Sequence, residues 1–341
     1  MPLQKRATIK DVAARANVSY QTVSRVINNS ERVSDATRNR VMAAIEELNY
    51  RPSLAARSLP GHRTFVIGLI IPYTPDYLIR DPNLLGQISG ADAEACLRGY
   101  NLLLSTTGNS NLGLNAYERF MNNHVADGAL VVETAASAAG NLLLQQRDYP
   151  YVVLGYESGT ANSAFVHNDD IGGAKKATEY LLKKGHRRIG IINGPPIGAV
   201  LTMQRRVEGY QQALAEAGVL YHPELMTYGD YTRASGVEAV KQLMALPERP
   251  TAIFALNDRM AIGAIAELQR MGLRVPDDIA VVGFDDIPSG ADFSPALTTV
   301  RQPSRDIGQR AAQLLFRLIN GEPVTEREIV LPSEFVARQS A

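Results

Sequence analysis

From about residue 65 onward the chain keeps one rhythm, a short apolar run followed by a longer stretch with helical spacing. Segments 65–71, 102–105, 129–133, 152–155, 189–193, 252–256 and 280–284 are rich in Val, Ile, Leu and Phe, with no polar alternation. Such runs are strands buried on both faces, as in a parallel sheet covered by helices. Between them, segments near 84–98, 113–124, 171–184, 203–217, 233–245 and 258–271 carry apolar residues three and four apart, the spacing of an amphipathic helix. The expected core is therefore α/β. About 280 residues is large for one such sheet. Two doubly wound parallel-sheet lobes are predicted, with a ligand crevice outside the carboxyl ends of their strands.

Residues 1–50 follow a different pattern. Thr8 is placed to cap a helix over 9–16, where Ile9, Val12 and Ala13 repeat at helical spacing. Asn17 tolerates the left-handed conformation that ends a helix. Ser19 caps a second helix, 20–28, with Val23, Val26 and Ile27 inward, and Ser34 a third, 35–48, with Val41, Ala44, Ile45 and Leu48 inward. Two short helices on a tight turn, closed by a third, make an all-α helix-turn-helix head. The charge agrees. Residues 1–63 hold eleven Lys and Arg against five Asp and Glu, so the head is basic and the body acidic although the whole chain sums to zero. That asymmetry is the footprint of a nucleic-acid binder.

The second helix is the expected reader of DNA, through Tyr20, Gln21 and, one turn on, Arg25. Gln pairs with adenine and Arg with guanine, each good bidentate pair contributing roughly 1–3 kcal/mol of discrimination. Thr22, Ser24 and Asn28 suit phosphates, with Thr8, Ser19 and Ser34 expected beside them as backbone contacts. Residues 51–62 read as a linker holding one short helix, 52–59, stopped by Pro60 and Gly61. At about eight residues it is too short to persist alone in water.

The run at 8–28 (TIKDVAARANVSYQTVSRVIN), and the AAIEELNYRP run ending at Pro52, resemble the DNA-binding domain of the lac repressor/galactose repressor family. The body carries matching motifs: Asp127-Gly-Ala-Leu-Val, Asn168-Asp-x-x-Gly-Gly173, Gly185-His-Arg-Arg-Ile-Gly190, Arg206-Val-Glu-Gly-Tyr210, Asn257-Asp-Arg-Met-Ala-Ile-Gly263 and Val281-Val-Gly-Phe-Asp-Asp286. The resemblance implies a core like that of periplasmic sugar-binding proteins. It also implies a homodimer on a pseudo-palindromic operator, repressing carbohydrate-utilisation genes and controlled by a small-molecule effector, expected to be a sugar. A pair of hinge helices would enter the minor groove with Ala56 and Leu59, Leu59 matching the family's intercalating leucine. Arg206, Asn257 and Asp285 match polar effector contacts and Tyr231 a stacking aromatic. The first lobe is placed at 63–162 plus about 293–325, the second at 163–292 plus the tail.

Two departures stand out. The link 72–85 is longer than the family's usual one, and Tyr73, Tyr77 and Asp81 there either wall the cleft or are plain loop. Gly155 stands where many members carry an Asp.

Other classes find little support. Cys96 is the only cysteine, so neither an internal disulfide nor a cysteine zinc cluster is possible, as suits the cytoplasm. The first thirty residues hold no signal-like apolar stretch, and no run reaches membrane-spanning length. Nucleotide-binding glycine patterns, a serine-hydrolase elbow and a zinc-protease motif are missing, so no enzyme and no cofactor is expected. A secreted sugar-binding protein would lack the basic head. The short tail beyond Pro332 leaves no room for a long heptad helix, and a dimer is expected. Whether the effector releases or strengthens DNA binding stays open.

Overall fold

Local signals make the head. The computed structural model describes residues 7–27, 33–50, 63–71, 81–106, 114–123, 125–134, 137–157, 163–196 and 200–341. It divides into two units, Met1–Thr64 and Phe65–Ala341. The first holds α1 (Ile9–Ala16), α2 (Tyr20–Ile27) and α3 (Asp35–Glu47). Thr8 and Asp11 form a reciprocal capping box at the start of α1, and Asn17 ends it at φ 52°. The Ser19 hydroxyl accepts from the Thr22 amide at 3.1 Å. Val12, Val23, Val26 and Val41 close a small core with Tyr50. Ser34 departs from expectation. It occupies the cap position of α3, but its hydroxyl donates to Thr37 Oγ1 at 3.0 Å and caps no amide. The expected hinge helix, with Ala56 and Leu59, and also Asn28, Tyr73 and Tyr77, lie outside the described residues.

The second unit runs β1 (Val66–Ile71), α4 (Pro82–Leu97), β2 (Asn101–Thr106), α5 (Leu114–Asn123), β3 (Gly128–Val132), α6 (Ser137–Gln146), β4 (Tyr151–Leu154) and β5 (Ala164–Asn168). It continues with α7 (Asp170–Lys183), β6 (Ile189–Asn193), α8 (Leu201–Glu216), β7 (Met226–Tyr228), α9 (Arg233–Met244), β8 (Ala252–Ala255), α10 (Asp258–Arg270) and β9 (Ala280–Val282). It closes with α11 (Pro288–Ala291), β10 (Thr299–Arg301), α12 (Ser304–Ile319), β11 (Glu328–Leu331) and β12 (Glu334–Val336). One sheet has the order β11-β5-β4-β3-β1-β2 and the other β7-β6-β8-β9. Every pairing in both is parallel. A short antiparallel ribbon joins β10 to β12. Both sheets are wound outward from an inner strand, β1 in one and β6 in the other. Such switch points leave a crevice at the carboxyl ends.

The lobe boundaries differ from those expected. β5 and β11 belong to the first sheet, which therefore extends past 162 and past 325. Leu297 and Val300, expected in the first lobe, are buried in the core of the second. The first lobe is thus 65–168 with about 302–331. Its outer layer is tight, because α4 and α12 cross at two glycines. A Cβ on Gly90 would strike the Arg305 carbonyl, and one on Gly308 the Gln87 carbonyl. Among the described residues no helix is long and apolar enough to cross a membrane.

Candidate functional site

Two surfaces carry the expected chemistry, one on each unit. On the head, Val23 and Val26 turn α2 so that Tyr20, Gln21 and Arg25 lie on its exposed side, Tyr20 with 56% of its surface free. A side chain must be exposed to reach a base edge. The hydroxyls expected at phosphates already have local partners: Thr8 bonds Asp11 at 2.7 Å, and Ser19 and Thr22 bond each other at 2.9 Å.

In the second unit, a cavity of about 140 Å³ opens between the lobes at the carboxyl ends of the strands. Glu133, Gly155 and Asn168 line it from the first lobe; Thr202, Arg206, Tyr231, Asn257 and Asp285 line it from the second. All four described residues expected at an effector therefore converge on one cavity. Asp81 reaches it too, as the N-cap of α4, accepting from the Asn83 and Leu84 amides.

Arg206 organises the floor. Its Nε donates to Asp170 at 2.7 Å, its Nη1 to the Leu256 carbonyl at 2.6 Å, and its guanidinium lies 3.7 Å over the Phe284 ring. Asp285 Oδ1 is 3.6 Å from Nη1 and accepts from Gln302 Nε2. Asn257 has both a structural and a cavity role. Its amide oxygen caps α10 at Met260, while its Nδ2 holds the Tyr231 carbonyl at 3.2 Å. Tyr231 and Asp285 sit at φ 67° and 138°, backbone conformations that L-residues rarely adopt. Strain of this kind concentrates at ligand sites. Glu133, Asp170 and Thr202 were not among the expected residues. The legible signal for Glu133 was a lone carboxylate ending an otherwise apolar strand.

The second acid of each Asp pair or motif is structural. Asp286 binds Arg301 and Arg338, tying down the tail. Asp258, wholly buried, accepts from Thr299 Oγ1 and the Ile287 amide. Burial pushes the Asp258 carboxyl up to about 7, against those hydrogen bonds, and burial raises Asp285 as well despite Arg206. A carboxyl raised on folding contributes stability that is full below its unfolded value, near pH 4, and is lost as pH rises through about 7. The stability of the wild type relative to Asp258→Asn should therefore fall between about pH 4 and 7, by up to about 1.4 kcal/mol per pH unit, and level off above that. Urea unfolding of both proteins at three pH values measures it, and parallel profiles would mean Asp258 stays ionised throughout. Among the described residues no cluster of His, Cys, Asp and Glu could hold a metal ion.

A three-helix head on one unit and a polar interlobe cavity in the other are the parts of a DNA-binding regulator with a ligand-binding domain. Residues 8–53 match the bacterial regulatory proteins of the lacI family, and residues 178–341 a periplasmic binding protein-like domain. The HTH-type transcriptional regulator CelR of Thermobifida fusca is 36% identical over 342 residues, covering 100% of both chains. A structure of a transcriptional regulator CelR–cellobiose complex is 35% identical with a TM-score of 0.76, over 98% of this chain and 100% of that one. The lac repressor dimer bound to operator and the anti-inducer ONPF is 28% identical with a TM-score of 0.82, over 98% and 99%. The chain belongs to the lacI family of bacterial regulatory proteins. It is a regulator of transcription and not an enzyme.

Proposed function

We propose that the chain is a cytoplasmic, homodimeric repressor of carbohydrate-utilisation genes, whose grip on a pseudo-palindromic operator changes when a sugar fills the interlobe cavity. The observation that carries this reading is the cavity itself. Arg206 and Asn257 offer donors, Asp285 an acceptor, and Tyr231 an aromatic ring, all at the junction of two lobes. Paired hydroxyls on a pyranose need that mixture, with an aromatic face for the ring. The relative solved with cellobiose supports a β-linked glucoside as the first candidate. Exposed leucines support the dimer. Leu97 on α4 and Leu103 and Leu104 on β2, an edge strand among the described residues, are 79%, 44% and 42% free, apolar side chains that a second copy would cover.

The test is a thermal-shift titration of the full chain with cellobiose, monosaccharides, sugar phosphates and purines, followed by operator binding with each hit. A ligand at a hundred times its Kd adds about 2.7 kcal/mol to the folded state. The expected result is one saturable carbohydrate hit that also changes operator affinity, its sign separating inducer from co-repressor. A purine hit, or a carbohydrate hit with unchanged operator affinity, would overturn the sugar-controlled reading. Replacing Asp285 with Ala is expected to abolish both shift and response while operator affinity stays within about twofold of wild type. A preserved response would remove Asp285 from the site.

A further inference from the structure

Helix α8 carries Thr202 and Arg206 into the cavity, yet it begins without a cap of its own. Val200 stands at its N-cap and makes no side-chain cap bond. A helix start leaves four amides in need of acceptors. Here the acceptor comes from the other lobe. The Thr202 amide donates to Glu133 Oε1 at 3.3 Å, and the Thr202 hydroxyl to Glu133 Oε2 at 2.6 Å. Glu133 directly follows β3 of the first lobe, and its Oε2 also accepts from the Tyr156 amide at 3.0 Å. Only 7% of Glu133 is exposed. A carboxylate at this point also complements the positive end of the α8 dipole.

The space for Glu133 exists because residue 155 has no side chain. A Cβ on Gly155 would lie 2.6 Å from the Glu133 Cβ, and its carboxylate would be closer still. Gly155 is at φ 115°, where a side chain would also strain the backbone. Glycine at 155 and glutamate at 133 thus form one arrangement, with three donors from two lobes meeting on one buried carboxylate.

We propose that Glu133 is a clasp across the cleft, a positioning residue that caps α8 from the opposite lobe and so sets the pose of Arg206 and the affinity of the cavity. Only its last element, effector affinity, rests on the function proposed above. The clasp itself is read without ligand or DNA, by hydrogen exchange of the full chain followed by mass spectrometry. Amides of residues 200–206 should exchange about tenfold faster or more in Glu133→Ala, while those of β6 and α9 keep their rates. Glu133→Gln retains an acceptor for the Thr202 amide and should recover most of the protection. Thr202→Val removes only the hydroxyl donor and should give an intermediate rate confined to the same segment. Unchanged exchange at 200–206 in Glu133→Ala would overturn the clasp. Should Glu133→Ala loosen the whole core, Thr202→Val decides: a local rise upholds the clasp, and a wild-type rate there overturns it. Cellobiose, titrated against wild type and Glu133→Ala, should bind the variant about tenfold more weakly. Equal binding would sever the clasp from affinity, whereas no binding to the wild type would count against the sugar reading alone.

Discussion

Replacing Arg206 with Ala is expected to destabilise the core by about 3–5 kcal/mol, the cost of breaking a buried ion pair by removing one partner. The side chains of Arg206 and Asp170 are 3% and 1% exposed and 2.7 Å apart. Deleting the guanidinium leaves Asp170 with the Asn168 amide alone, and among the described residues its Oδ2 has no hydrogen-bond partner even with Arg206 in place. The Leu256 carbonyl loses its donor and the Phe284 ring its covering cation. For a unit of this size the melting point should drop by roughly 5–9 °C. Arg206→Lys keeps the charge but not the planar fork that reaches Asp170 and Leu256 together, so it should recover only part of the loss. Urea unfolding monitored by circular dichroism checks both variants. A cost below about 1 kcal/mol would show that water reaches the pair and screens it, as at surface ion pairs.

The same residue shows what a sequence can and cannot disclose. Arg206, Asn257 and Asp285 announce themselves because each sits in a recognisable motif, and the winding of the sheets then brings them to one place. Their partners are different. Asp170 lies 36 residues from Arg206 and Glu133 lies 69 from Thr202; nothing local links either pair. Helix ends were legible where the cap is local, as with Thr8 and Asn17 around α1. They were not where a competing neighbour captures the hydroxyl, as Thr37 does for Ser34, or where the cap comes from another lobe, as for α8.

Strands obey the same division. β1, β4 and β8 are buried throughout, β3 in all but its last residue, and all four read as unbroken apolar runs. β5 ends in His167 and Asn168, whose polar side chains are satisfied by Glu328, Asp170 and Ser333, contacts that only the finished fold supplies. β11 is an edge strand with Glu328 and Val330 exposed, so its pattern is too mixed to stand out. Missing these two strands displaced the lobe boundary. α12 was not among the expected helices either, although Ile307, Ala311, Leu314 and Leu315 repeat at helical spacing and are buried.

The head invites the second large effect. Replacing Gln21 and Arg25 together with Ala should lower affinity for the selected operator by about 10²–10³-fold, since each bidentate base contact contributes roughly 1–3 kcal/mol. Neither residue packs the head. Both lie on the exposed side of α2, while Val12, Val23, Val26 and Val41 form the core, so the three helices should melt as in wild type. What remains after the double substitution is binding through phosphates, which carries no sequence information. Arg25→Ala removes at most one cation, so the dependence of affinity on salt should change by about one phosphate contact or less. Anisotropy titrations with operator and scrambled duplexes at several salt concentrations separate these contributions. The double variant should bind the two duplexes almost equally, with nearly the wild-type salt slope. Were operator preference to survive, sequence would be read elsewhere on the chain or through the shape of the duplex, and α2 would serve only to position the protein on the backbone.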